Sequence, residues 1–503
     1  MGHIWAGTIS GALAARALVP IALKKLKEGR VVSCSSRPAS SKVTQVTNAS
    51  ASLASCTTVR ALCDFTAQPV SPEHYLKQLS KVCPKQLDLT ELSHGNGAME
   101  AADALIRLEP SLVRLKGLRA DLAREKTKWP FFVHLAVILA VSKQQAMALD
   151  GPFHFSVVFA VYGEVNRLKT KAEHPNGEDF LMTKAAQLDW LLKDHPSATW
   201  SMTVSDDGCP DNSGGLCDAQ ARARTDAVTC GTIDVVYLKD GIAAGDPACK
   251  GMLSTNDSRK GGAIHYGLAC AARRKLSTGV QHCVAYTDAD LSTHLGQSGL
   301  LLDIILGKPQ MDCAVGTRRS KDSVIVKTGS RNLRGVLHAY LWKQMMPEIA
   351  FVVDTQTAFK AFNANVITEL TSNILVERKF AFDIELMLLT HLRRRGSVGQ
   401  CGIAWIDSEA ESQSGDTEGY VTLLKAIATI YREYLPRDTW RESIAEFVKS
   451  LTPTRFEALL DNCPEGIAMR DAADFETWSG CSAAELAAAA DKQSAHPTPS
   501  VIA

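Results

Sequence analysis

No two cysteines stand in a C-x-x-C spacing, and the 14 cysteines are scattered along 503 residues without a framework. That pattern argues against a disulfide scaffold or a structural zinc site, and the thiols read as reduced or as small buried hydrophobes. An excess of charge is missing too. Lys+Arg 55 against Asp+Glu 54 leaves a formal net charge of +1, so overall charge lends no support to nucleic-acid binding. Beyond the N-terminal stretch no segment approaches the ~20 uninterrupted apolar residues of a membrane span. There is no internal repeat.

What is present is ordinary for a globular chain: 46% hydrophobic and 22% charged residues, over a length that predicts two or three structural units. The start is less ordinary. Residues 4–23 are mostly apolar but include Arg16 and Pro20, and Lys24, Lys25 and Lys27 follow. Up to Cys63 there are eight Lys/Arg and one acid, Glu28, and 33–58 is rich in Ser, Ala, Thr and Val. A basic, Ser-rich, acid-poor start is the composition of an organellar transit peptide, for a plastid or a mitochondrion. The alternatives are an N-terminal membrane anchor and a poorly packed first helix. Residues 1–63 are therefore read as a targeting or disordered segment.

Residues 64–150 read as helical. Apolar residues recur at helical spacing in 73–82, 98–108 and 111–128, and 131–149 is apolar enough for a buried helix. From 153 the texture changes. Short β-rich runs at 155–161, 199–204, 233–238 and 281–287 alternate with helical stretches at 179–193 and 261–275. This alternation predicts an α/β domain over 151–417, with a mostly parallel sheet and helices on both faces. A helical C-terminal region follows over 418–480, and 481–503, Ala-rich and then polar, reads as a disordered tail.

In an open parallel sheet, ligands bind outside the carboxyl ends of the strands, and here polar motifs follow the strands. Asp288-Ala289-Asp290 comes directly after an apolar run. Two carboxylates two residues apart point the same way in extended backbone, repel one another, and suit Mg²⁺ or Mn²⁺, which take oxygen ligands together with substrate phosphates. A lone D-x-D is common by chance and is usually a solvated turn; its place at a strand end singles this one out. Asp206-Asp207-Gly208-Cys209-Pro210 is a tight turn at another strand end, where an acid can accept from a base N–H or a ribose hydroxyl. Arg259-Lys260-Gly261-Gly262 opens a helix, a place where close backbone approach and a helix N-terminus favour phosphate. Gly316-Thr317-Arg318-Arg319 offers guanidinium groups to a diphosphate. Asp354 interrupts an apolar stretch, and Asp383 and Glu385 lie in an otherwise apolar helix.

The order of these segments resembles the inverting GT-A (Rossmann-like) glycosyltransferases of family two, nearest to dolichyl-phosphate β-glucosyltransferases. The matching pieces are Ser156-Val-Val-Phe-Ala-Val-Tyr-Gly-Glu164, Val204-Ser-Asp-Asp-Gly208, Lys260-Gly-Gly-Ala-Ile-His-Tyr-Gly267 and Tyr286-Thr-Asp-Ala-Asp290. Gly316-Thr-Arg318, Asp354-Thr-Gln-Thr-Ala-Phe-Lys360 and Phe380-Ala-Phe-Asp-Ile-Glu-Leu386 complete the series over about residues 153–406. The first motif departs from the family, which usually has a Pro and an Asn-Glu-Glu run there.

The resemblance implies a metal-dependent transferase moving a hexose from a nucleotide-sugar, with a UDP-sugar the expected donor, to a polyprenyl-phosphate or a soluble hydroxyl acceptor. It further implies nucleotide-sugar contacts from Ala160, Tyr162, Glu164, Asp206, Asp207, Lys260, Asp288 and Arg318. Asp290 and Asp288 would hold Mn²⁺ or Mg²⁺, and Asp383 or Asp354 would be the base for a hydroxyl acceptor. A nucleotidyltransferase that makes nucleotide sugars is disfavoured because no Gly-rich phosphate loop opens the first strand–helix unit. A non-catalytic scaffold of the same fold is the other alternative.

Overall fold

A computed structural model describes residues 70–223, 231–326, 332–373, 375–407 and 417–492. The targeting segment expected over 1–63 lies outside the described residues. Four helices come first, Pro72–Val82, Leu92–Leu108, Leu112–Arg124 and Phe131–Met147. The first starts on Ser71, whose hydroxyl accepts from the His74 N–H, with Pro72 at the first helical position. The fourth is apolar on every side and is buried along nearly its whole length, between the other helices and the sheet.

Seven strands form the main sheet in the order β3-β2-β1-β4-β7-β5-β8: β1 Phe153–Val161, β2 Ala198–Asp206, β3 Gly231–Tyr237, β4 Gln281–Thr287, β5 Cys313–Thr317, β7 Phe359–Asn363 and β8 Val398–Gly402. All pairings are parallel except those of β7, which runs antiparallel between β4 and β5. A small parallel pair, β6 Val324–Val326 with β9 Ala404–Ile406, lies apart from it. The fold is therefore α/β with a mixed, mostly parallel sheet covered by helices on both faces.

Alternation along the strands separates two cores. Phe153, Phe155, Val157, Phe159 and Val161 pack with the N-terminal helices and with helices Phe180–Leu192 and Ser298–Ile305. Val158, Val284, Tyr286, Val315 and Phe362 pack on the other face with helices Gly261–Ala272, Asn332–Met345, Phe382–Arg393 and Thr417–Tyr434. All described residues fall within one compact unit, Ala51–Ala503, so both sets of flanking helices are layers on the sheet.

Two expectations differ from the structure. The sequence pattern does not reveal β7 as a strand, because its five residues FKAFN carry a lysine where both flanking strands are apolar. Residues 481–492 are not a disordered tail: Ser482 caps a helix, Ala483–Ala490, in a reciprocal box with Glu485, and Leu486, Ala489 and Ala490 are buried against the C-terminal helices. The remaining 493–503 lie outside the described residues. Among the described residues, no helix is long and apolar enough to cross a membrane.

Candidate active site

The parallel register brings the strand ends together. Val161 pairs with Asp206, and Val158 pairs with Tyr286, two residues before Asp288. Ala160, Tyr162 and Glu164 follow one another at the end of β1. Tyr162 is 53% exposed, its ring open to solvent, while Ala160 packs beneath it on Leu238 and Ala263 and their neighbours. Asp206 and Asp207 divide their work. The Asp206 carboxylate accepts the N–H groups of Gly208, Cys209 and Gly214 at 2.9, 3.1 and 3.0 Å, so it builds the turn. Asp207 Oδ2 accepts the Lys260 N–H at 2.7 Å, and its Oδ1 is buried without a hydrogen-bond partner. Of the two, Asp207 is the less occupied by backbone, with the Lys260 N–H and the Ser258 hydroxyl acting on it.

At the end of β4, four carboxylates and three cations converge. Lys260 Nζ pairs with Asp288. Arg167 reaches Glu164 at 2.8 Å and Asp290 at 3.4 Å. Glu178 accepts the Leu291 N–H at 3.1 Å, and Asp290 accepts that of Ser292 at 3.0 Å. Lys184 is wholly buried, and its Nζ has no hydrogen-bond partner. The charges of Asp290, Asp288 and Glu178 act on it, but burial outweighs them and brings its pKa down to about 8. Burial, eased in part by Arg167, pushes Glu164 up to about 7; burial and Asp290 push Glu178 up to about 6. Burial and the neighbouring Asp288 raise Asp290, whereas Lys260 overcomes burial and holds Asp288 down.

This donor set fits a hard divalent cation: two carboxylates, one of them raised partly by the other, offer oxygen only. Among the described residues no three His, Cys, Asp or Glu side chains stand together as a metal-holding group. An ion held by Asp288 and Asp290 would therefore draw its remaining ligands from phosphate oxygens and water.

On the far side of β4, Asp383 sits in the first turn of helix Phe382–Arg393. It accepts from Tyr286 Oη and, at 3.1 Å, from Lys360 Nζ. β7 sets this pairing, because its antiparallel register puts Lys360 opposite Tyr286. Burial raises the Asp383 carboxyl well above the ordinary range and lowers Lys360 to about 7. Asp354 is different. Arg318 grips both its oxygens, at 2.8 and 3.0 Å, and Thr357 adds a hydroxyl; against the opposing effect of burial, these hold it well below the usual carboxylate range. Arg318 also stacks on Trp405, 5.1 Å from the ring centre.

The Lys260-Gly261-Gly262 turn departs from its expected use. The N–H groups of Gly261, Gly262 and Ala263 are taken by Arg259 O, Arg378 O and Ser258 Oγ, so this helix start has no free donors for phosphate. The glycines do permit close approach, but to the protein's own chain: a Cβ on Gly261 would collide with the Lys379 carbonyl. Lys260 itself has φ 69°, in the left-handed region. A lysine there is strained, at a cost of about 1–3 kcal/mol that its surroundings must offset.

Sequence reasoning passed over Arg167, Glu178, Lys184, Tyr286 and Lys360. Lys184 left a signal, since it takes a core position in the stripe Leu181, Lys184, Leu188, Leu191 of helix Phe180–Leu192. Arg167 and Glu178 lie in an irregular connection with no periodicity. A cavity lined by Leu92, Phe131, Leu135, Thr183, Leu291 and His294 includes neither Asp288 nor Asp290.

No protein-family model matches this chain, and no curated protein matches it. Among solved structures, the chain is similar to glucosyl-3-phosphoglycerate synthase from Mycobacterium tuberculosis, a GT-A glycosyltransferase, at low sequence identity. Its complex with phosphoglyceric acid is 12% identical with a TM-score of 0.38, covering 60% of this chain and 86% of that one. Its complex with Mn²⁺, UDP-glucose and glycerol 3-phosphate has the same identity and coverage and a TM-score of 0.37.

Proposed function

We propose that the protein is a metal-dependent inverting glycosyltransferase that uses a nucleotide-sugar, a UDP-sugar being the expected donor. The observation that carries this reading is the meeting of Asp207, Asp288 and Asp290 at the carboxyl edge of a mostly parallel sheet, with Lys260 bonded to two of them. The motifs that resemble family-two transferases in sequence supply these same side chains.

In this reading Asp207 Oδ1 accepts from the nucleobase and Tyr162 packs on its ring face, while Lys260 stands beside the diphosphate. Asp288 and Asp290 hold Mn²⁺ or Mg²⁺, which when bound supplies Lewis-acid stabilisation of the departing nucleoside diphosphate. Asp383, ionised with the help of the Lys260 charge, takes the proton of a hydroxyl acceptor; a phosphate acceptor, already anionic, needs no base. Asp354, clamped and strongly acidic, anchors Arg318 instead. Import into an organelle through residues 1–63, or else membrane association through an anchor there, belongs to the same proposal.

Thermal-shift screening of UDP-, GDP- and ADP-sugars with and without Mn²⁺ tests the reading. A ligand bound only by the native state raises the melting temperature by mass action. A Mn²⁺-dependent rise with one nucleotide, lost in Asp290→Ala, is expected. No rise with any of them overturns the reading, and pyrophosphate release from a sugar 1-phosphate would replace it with a nucleotidyltransferase.

A further inference from the structure

The Arg259–Gly262 turn is held by a second piece of chain. Residues 376–379 lie across it as a strap: the Arg378 carbonyl accepts the N–H groups of Arg259 at 3.1 Å and Gly262 at 2.9 Å. Contact is tight, since a Cβ on Gly261 would also come within 2.7 Å of the Arg378 carbonyl carbon. Arg378 adds a side-chain bond at 2.9 Å to His265, one turn into the helix that the glycines open. The N-cap residue Lys260 makes no side-chain cap, and the capping is shared by Ser258 Oγ, which takes the Ala263 N–H, and the strap carbonyl, which takes that of Gly262.

The strap is in turn fixed by one carboxylate. Glu385 is fully buried; its Oε1 accepts the Val376 N–H at 2.6 Å and the Tyr434 hydroxyl at 2.7 Å, and its Oε2 accepts the Glu377 N–H at 2.8 Å. Tyr434 is the last residue of helix Thr417–Tyr434, in the C-terminal helical layer. A continuous series of hydrogen bonds thus runs from that layer through Glu385 and the strap to the strained Lys260 turn, whose other side is tied to Asp207.

We infer that Glu385 and Tyr434 are positioning residues: they press the 376–379 strap onto the Arg259–Gly262 turn, and so let the C-terminal helix set where the Lys260 ammonium stands beside Asp288. The strap stands on geometry alone. Its consequence for a nucleoside diphosphate bound near Lys260 rests on the transferase reading.

Amide hydrogen exchange on the full chain tests the strap. Tyr434→Phe removes one donor to the Glu385 carboxylate; Glu385→Gln places an NH₂ against donors that need an acceptor. Exchange at Arg259 and Gly262 should quicken about tenfold or more in Glu385→Gln, and less in Tyr434→Phe, with β1 and β4 unchanged. Leu424→Ala, a buried change in the same C-terminal helix away from the strap, should leave the turn's protection as it is. Unchanged exchange at 259–262 in Tyr434→Phe, which keeps the fold if Glu385→Gln does not, overturns the inference. So does equal loosening by Leu424→Ala, which would make the effect general instability. In a second arm, both strap variants should raise KM for the nucleotide-sugar several-fold with kcat nearly unchanged. If the wild-type chain binds no nucleotide, the transferase reading fails and the exchange data alone decide the strap.

Discussion

Arg318 and Asp354 form a two-point ion pair, Nε and Nη2 at 2.8 and 3.0 Å from the two carboxylate oxygens, and the Arg318 backbone N–H adds a third contact at 3.0 Å. Asp354 is 3% exposed. Removing Asp354 leaves the Arg318 guanidinium, 21% exposed, without its counter-charge, at a cost near the lower end of about 3–5 kcal/mol. Asp354→Ala should therefore lose about that much stability in denaturant unfolding. Asp383→Asn should fold, keep nucleotide binding and slow transfer to a hydroxyl acceptor by 10²-fold or more. An Asp354→Ala protein of wild-type stability that has lost only transfer would exchange the two roles.

Glu164 carries a pH dependence whose sign follows from its environment. Its folded-state pKa is raised from 4.5 to about 7, chiefly by burial. The folded state thus binds the proton more tightly than the unfolded chain does. The stability this contributes is fully present below about pH 4.5 and is lost as pH rises through 7. Glu164→Gln should remove that slope, so that the metal-free variant gains up to about 3 kcal/mol relative to wild type at pH 8. Chemical denaturation at pH 5 and pH 8 checks it; a difference independent of pH would mean that Arg167 keeps Glu164 ionised throughout.

Lys184 puts a positive charge behind the carboxylates that would hold a metal. Its ammonium repels a divalent ion there, the more strongly because the site is buried. Lys184→Met, similar in length and uncharged, should bind Mn²⁺ about tenfold more tightly in calorimetric titration at low salt. Affinity unchanged in a folded variant would show that this charge does not reach the metal position.

Asp206 and Asp207 are adjacent and should behave oppositely. Asp206→Ala strips acceptors from three backbone N–H groups and should lower stability by about 2–4 kcal/mol. Asp207→Asn turns an acceptor into a donor and should weaken nucleotide binding tenfold or more with a smaller change in melting temperature. Thermal unfolding with and without UDP and Mn²⁺ separates the two; equal destabilisation with unaltered UDP affinity would remove Asp207 from the nucleotide pocket.

Much of the sheet is legible in the sequence. The runs that became β1, β2 and β4 are apolar and bounded by polar turns, as parallel strands buried on both faces must read, while β3, at the sheet edge and nowhere fully buried, reads from its β-branched residues. The acids at their ends were visible for the same reason, since a carboxylate directly after such a run has to lie at the sheet edge. β7 was not legible, because Lys360 contradicts the apolar pattern and is tolerated only where Asp383 and Tyr286 receive it.

The sequence by itself determined the alternation of strands and helices, and with it an α/β layering and the edge where Asp207, Asp288 and Asp290 gather. Those features follow from local periodicity and from the burial that each apolar run requires. Only the tertiary structure decided that Asp354 is clamped by Arg318, that Lys184 is buried over the Phe159 ring without a hydrogen bond, and that the glycines after Lys260 receive the protein's own strap. Arg318 with Asp354, Tyr434 with Glu385, and Arg378 with Gly262 are separated by 36, 49 and 116 positions along the chain. Pairings at that range leave no period in the sequence; packing alone brings them together.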